Sequence, residues 1–116
     1  MSLAGARLGA KRKAALAIAA MAAGSLAGAA WASVQTVDQR NLKFSVKLLS
    51  LAAGDVVEFT NSDDTSHNIT IMGPDFVANS GLQRPGQPFK APLVTPGVYK
   101  VSCAIHPNMR MTIVVK

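Results

Sequence analysis

The chain closes on Tyr99-Lys100-Val101-Ser102-Cys103-Ala104-Ile105-His106-Pro107-Asn108-Met109-Arg110-Met111-Thr112-Ile113-Val114-Val115-Lys116, which contains two period-two alternations. Tyr99, Val101 and Cys103 share one parity and Lys100 and Ser102 the other. Met109, Met111, Ile113 and Val115 likewise oppose Arg110, Thr112 and Lys116. Strand side chains alternate between faces, so both runs are expected as strands with one apolar face, and Cys103 and Met109 are expected to point into the core. The loop between the runs holds an imidazole, His106.

Upstream, His67, Ile69 and Ile71 share a parity opposite Asn68 and Thr70, which puts the second imidazole on an apolar face. Candidate strands run over 34–37, 41–46, 47–51, 55–61, 67–72, 89–94, 97–103 and 109–116. Turn chemistry separates them at Ala53-Gly54-Asp55, Asn61-Ser62-Asp63-Asp64, Gly73-Pro74, Arg84-Pro85-Gly86 and Pro96-Gly97. Residues 74–88 have little pattern and are expected to form a surface loop. No stretch after the first third sustains helical periodicity. Many short strands at close spacing give an all-β fold, a Greek-key β-sandwich.

The first third has a different character. Arg7 and Lys11-Arg12-Lys13 precede an Ala/Leu/Ile/Met/Gly run that ends at Ala30-Trp31-Ala32. Basic start, apolar stretch and small-x-small site are the order of a secretory signal peptide over 1–32, cleaved to leave one domain over 33–116. An uncleaved membrane anchor is the competing reading, because the run approaches spanning length. Four of the 12 basic residues lie in this leader; the rest of the chain carries eight against six acids. Those eight are scattered singly along the sequence, without the basic cluster that nucleic-acid binding needs, so that class is set aside.

Export to an oxidising compartment normally pairs cysteines, yet Cys103 is the only one. A lone exported cysteine is an intermolecular bridge, an inert buried thiol or a metal thiolate. Its surroundings favour the last. The spacing Cys103-x-x-His106-x-x-Met109 gathers a thiolate, an imidazole and a thioether in one loop, and His67 supplies a second imidazole from elsewhere. Two imidazoles and a thiolate with a weak axial thioether suit one copper ion, because soft sulfur accommodates the cuprous state and imidazole accommodates both. A set filled by protein leaves no open position for a substrate, which argues for electron transfer over catalysis.

The sequence resembles the cupredoxins of the plastocyanin, pseudoazurin and amicyanin branch. The resemblance runs from Phe44 through Gly54-Asp55-Val56-Val57-Glu58-Phe59-Thr60-Asn61-Ser62-Asp63, His67-Asn68, Pro85-Gly86 and Pro96-Gly97-Val98-Tyr99 to the ligand loop, whose short Cys-x-x-His-Pro-x-Met is most like amicyanin. It implies a cupredoxin sandwich with one copper, His67 and Cys103 as inner ligands, His106 near the surface and Met109 axial. It implies that Asn68 ties the His67 turn to the backbone or hydroxyl near Ser102. Electrons would leave through the edge of His106, ringed by Pro107, Met72 and Pro74. It further implies a monomeric periplasmic carrier, not an enzyme, with an amine dehydrogenase as donor and a c-type cytochrome as acceptor. A copper carrier or buffer supplying an oxidase would use the same ligands. Two positions depart from the pattern: Val46 stands where Pro is common, and Met111 replaces the Gly that usually follows the axial Met, so Met111 competes with Met109 for that role.

Three features admit simpler readings. Asp63-Asp64, beside Asn61-Ser62, is expected to be a solvated turn. Asn68-Ile69-Thr70 matches a glycosylation sequon by chance. Tyr99 is expected to be a core ring.

Overall fold

The computed structural model describes residues 32–116; the leader expected over 1–32 lies, but for its last residue, outside the described residues. Nine strands follow in chain order: β1 Val34–Arg40, β2 Lys43–Phe44, β3 Leu48–Leu51, β4 Val56–Asn61, β5 Ile69–Gly73, β6 Phe76–Asn79, β7 Phe89–Pro92, β8 Gly97–Cys103 and β9 His106–Val115. They form a four-stranded sheet in the order β2-β1-β4-β7 and a five-stranded sheet in the order β3-β9-β8-β5-β6. The pairs β1·β4 and β3·β9 are parallel and the rest antiparallel, so the expected all-β sandwich is present.

The inward residues are those the alternation selects. From the larger sheet come Ile69, Ile71, Tyr99, Val101, Cys103, Met109, Met111, Ile113 and Val115; from the smaller come Val37, Val57, Phe59 and Ala91, all buried. Fully burying one large aliphatic or aromatic side chain is worth about 1.5–3 kcal/mol, so this shared face outweighs the weak intrinsic preferences of such short strands. Tyr99 is a core ring as expected, and its hydroxyl donates to Thr95 O at 2.6 Å. The ring lies over Gly73, where any Cβ would fall inside it, and meets Phe76 edge-on with centroids 6.0 Å apart.

Two expectations about elements need correction. The stretch 74–88 is not all loop: Gly73 pairs with Phe76 across Pro74-Asp75, and β6 adds an edge strand to β5. Only one side of β6 packs, through Phe76 and Ala78, while Val77 is 70% exposed. The stretch 41–46 is not a continuous strand either. Arg40 pairs with Lys43, so Asn41-Leu42 is a two-residue hairpin turn with φ of 54° and 59°. Two successive positive φ values suit the right-handed twist of the strands but normally call on glycine. For Leu42 they cost about 1–2 kcal/mol. The compensation comes from Asp63, whose carboxylate accepts the Asn41 amide at 2.6 Å and the Leu42 amide at 3.0 Å.

Candidate metal centre

His67 stands just before β5, where it bridges Gln83: the His67 amide donates to Gln83 O at 2.9 Å and the Gln83 amide to His67 O at 2.7 Å. Asn61 Nδ2 also donates to Gln83 O at 3.0 Å, and Gln83 Nε2 donates to Phe59 O at 2.9 Å, so this segment is tied into β4. The His67 side chain is fully buried. Cys103 ends β8 opposite Ile69 of β5 and is buried as well.

From Cys103 the chain turns through Ala104-Ile105, with His106 opposite Cys103. Pairing then slips: Ser102 stands opposite Arg110, so Pro107, Asn108 and Met109 are extra residues with no partner on β8. Proline cannot donate to a ladder, which helps explain why pairing lapses here. The bulge has a consequence for direction. In a regular strand His106 and Met109, three apart, would face opposite sides. The extra residues let the His106 ring reach Cys103 while Met109 is buried.

The three polar ligand atoms converge. His67 Nδ1 lies 3.1 Å from His106 Nδ1, Cys103 Sγ lies 3.8 Å from His67 Nδ1, and Cys103 Sγ lies 3.6 Å from His106 Nδ1. In a triangle of these sides one in-plane point is about 2.0 Å from every corner, close to the roughly 2.0–2.3 Å of metal bonds to imidazole and thiolate. Among the described residues this is the group of His, Cys and acidic side chains placed to hold an ion. The two rings meet edge-on at 67° with centroids 5.0 Å apart. Met109 and Met111 are both buried, at 2% and 3% exposure, so burial alone does not separate them. His106 is half-buried and borders a surface hollow together with Ile105 and Pro107.

Three contacts around the triangle were not read from the sequence as placed. Asp63 is no mere solvated turn: its Oδ2 meets His67 Nε2 at 2.8 Å, and its side chain is 8% exposed. The proton therefore belongs on Nε2, and Nδ1 keeps a free lone pair toward the centre. Burial favours the neutral form of this carboxyl, but the Leu42 amide, the His67 ring and the Asn41 amide together outweigh it and hold its pKa below the ordinary carboxylate value. The four-residue spacing from Asp63 to His67 was the available signal. Asp64 is exposed, as expected of a turn residue.

Asn68 acts through its backbone. Its amide donates to Cys103 Sγ at 3.3 Å and its carbonyl accepts the Ala104 amide at 2.9 Å. The expected tie to the backbone near Ser102 is thus made by the Asn68 main chain and not by its side chain, whose Oδ1 accepts from Asn79 Nδ2 at 2.8 Å, on the strand expected as loop. Pro74 is also displaced from its expected place. Its ring packs on Gly97, where β8 begins, whereas Cys103 ends that seven-residue strand, about 20 Å away. Met72 does share a surface hollow with Cys103 and Pro107.

A β-sandwich that brings two imidazole nitrogens and one buried sulfur to a single point is the scaffold of a copper-binding protein. The chain belongs to the copper binding proteins of the plastocyanin/azurin family, whose model matches residues 32–116. It is 37% identical over 90 residues to plastocyanin of Ulva pertusa, covering 68% of this chain and 92% of that one. It is 28% identical over 105 residues to amicyanin-alpha of Methylorubrum extorquens, covering 86% and 88%. A reduced Cu(I) amicyanin variant shares the fold with a TM-score of 0.66 at 23% identity, over 72% of this chain and 82% of that one. A copper-containing nitrite reductase from Thermus scotoductus matches with a TM-score of 0.65 over 71% of this chain but only 22% of its own, so the likeness is to one part of a larger enzyme.

Proposed function

We propose that this protein carries single electrons between larger redox proteins through one copper ion held by His67, Cys103, His106 and Met109. The observation that carries the reading is the triangle of two Nδ1 atoms and one Sγ at 3.1, 3.6 and 3.8 Å, with only His106 reaching the surface. Copper, when bound, supplies a Cu(I)/Cu(II) couple. The residues supply the rest. Asp63 fixes the His67 tautomer and ring plane, the Asn68 amide directs a donor at the Cys103 sulfur, and the sandwich excludes water from His67 and Cys103. His67 is held by the Gln83 bridge and by Asp63, and Cys103 by its place at the end of β8 opposite Ile69 and by the Asn68 amide. The outward edge of His106 is the route for the electron. The protein is not an enzyme on this reading, since its ligand set is closed.

The same reading places the domain over 33–116 in the periplasm after loss of a leader over 1–32, as a monomer. It takes an amine dehydrogenase as donor and a c-type cytochrome as acceptor, in keeping with the amicyanin likeness. The test is a visible and electron-paramagnetic-resonance spectrum of the protein loaded with cupric ion. An intense thiolate-to-copper band that disappears in Cys103→Ser is expected; survival of the band in that variant, or a colourless wild-type protein, refutes the ligand assignment. A site that binds copper but stays cuprous against mild oxidants would instead identify a copper carrier.

A further inference from the structure

The eight cations of the described region are scattered in sequence, but four of them converge in space. Two shallow hollows adjoin the His106 loop. Lys43 and Lys47 border the first, together with Leu42 and Ile105. Lys100 and Met72 border the second, on the outer face of β5, β8 and β9. Lys47, Pro107 and Arg110 belong to both, so the hollows form one continuous surface. The fold explains the gathering. β2 lies beside β9 of the other sheet, which brings Lys43 to the ligand loop, and Arg110 is the residue at which β9 resumes its pairing. The Arg110 Nε donates to Pro107 O at 2.9 Å, holding the guanidinium against the bulge.

None of the six acids lines either hollow. Asp63, which supports the Asn41-Leu42 turn, directs its carboxylate at two backbone amides and His67. Amid the cations lie apolar groups without apolar cover: Leu42 at 48% exposure, Ile105 at 51% and Met72 at 57%. A cationic rim around a small apolar centre complements a protein face with acidic residues around an apolar spot. Single-stranded nucleic acid calls for stacking aromatics, and the one aromatic residue along these hollows, Phe44, is buried.

We infer that this surface docks the acidic face of a protein redox partner, with Lys43, Lys47, Lys100 and Arg110 steering the encounter and Leu42, Ile105 and Pro107 covering the edge of His106. The inference rests on the electron-carrying reading and names the chemistry of the partner that reading requires. Opposite charges gathered at one site raise association rates about 10-fold to 1,000-fold at low salt, and the gain fades as the screening length shortens.

The test uses two probes with the same haem and opposite charge, a basic c-type cytochrome and the same cytochrome succinylated on its lysines. Stopped-flow mixing with the reduced, copper-loaded protein is expected to show the succinylated form reacting about tenfold faster at about 10 mM ionic strength than at 150 mM, with the basic form showing the opposite trend. The double variant K43Q/K47Q should remove most of that salt response. K90Q/K116Q, an equal charge change outside both hollows, should preserve it. A titration of the Cu(I) protein followed by nuclear magnetic resonance should move amides in 42–47 and 105–110 and few others.

Equal salt trends for the two cytochromes, equal effects of the two double variants, or shifts gathered elsewhere would each overturn the docking surface. So would binding to phosphatidylglycerol vesicles that K43Q/K47Q abolishes while the cytochromes are not discriminated, which would make the occupant a lipid surface. The thiolate band keeps the two levels apart. Its absence from the wild-type protein defeats the electron-carrying reading, whereas its presence without charge discrimination defeats the docking surface alone.

Discussion

Replacing Asp63 by Asn keeps the size of the side chain and removes one of two acceptor oxygens. In the native protein Oδ1 accepts the Asn41 amide at 2.6 Å, while Oδ2 accepts the Leu42 amide at 3.0 Å and faces His67 Nε2 at 2.8 Å. An amide offers one oxygen. If that oxygen takes the inner position, the NH2 group confronts the Asn41 amide, donor against donor. If it takes the outer position, the NH2 group confronts Leu42 and His67, and the ring can accept only by moving its proton to Nδ1, the atom that faces Cys103 and His106. Hydrogen bonds to charged groups contribute about 1.5–3 kcal/mol each, and the turn amides can recover water, so the apoprotein should lose about 2 kcal/mol. Supports of this kind are worth about 10- to 100-fold in metal affinity, or about 1.4–2.8 kcal/mol. Cu(I) competition against a chelator of known affinity measures the second quantity, urea unfolding of the apoprotein the first, and nitrogen resonance of the His67 ring the tautomer. Copper affinity within about twofold of wild type, with the ring proton still on Nε2, would refute the reasoning and leave the Gln83 bridge as the true anchor of His67.

Three other outcomes are expected. Met109→Leu should shift the reduction potential while copper stays bound, and Met111→Leu should not; the reverse pattern would transfer the axial role to Met111. Gly73→Ala drives a methyl into the Tyr99 ring and should cost about 1–3 kcal/mol, lowering the thermal midpoint by several degrees while the thiolate band persists below it. The Asp38 carboxyl is opposed by burial, yet hydrogen bonds from the Thr60 and Ser62 hydroxyls and the Gln39 amide, with the Arg40 charge, lower its pKa. Its contribution is therefore complete above the unfolded carboxylate value and lost as pH falls through the depressed folded one. Asp38→Asn should be less stable at neutral pH and should lose less on acidification, as urea midpoints across the acid range would report.

The sandwich and the centre were legible wherever one face of a strand is buried and the other wet. Tyr99, Val101 and Cys103, then Met109, Met111, Ile113 and Val115, and His67 with Ile69 and Ile71 all point inward as their parity requires. Legibility failed where that contrast is weak or where a contact joins distant segments. β6 is an edge strand with half-buried Phe76 and Ala78, too short and too exposed to give an alternation. The Asn41-Leu42 turn lacks glycine because Asp63, some twenty residues later, holds it. The same carboxylate's second task on His67, the Asn68 amide on sulfur and the meeting of four cations depend on the pairing of strands, which local periodicity does not encode. The bulge at Pro107–Met109 is likewise a property of register between β8 and β9, not of either strand alone.

The uneven wrapping of the centre has a further consequence. His67, Cys103 and Met109 are buried, and His106, at the start of β9 beside the unpaired stretch, is the half-buried one among the candidate ligands. On the electron-carrying reading, electrons and metal ions would share a single doorway. A partner seated over His106 would act as a stopper as well as a conductor, slowing metal escape for as long as the encounter lasts. Loading and shuttling would then be mutually exclusive tasks, separated in time by whatever occupies that threshold.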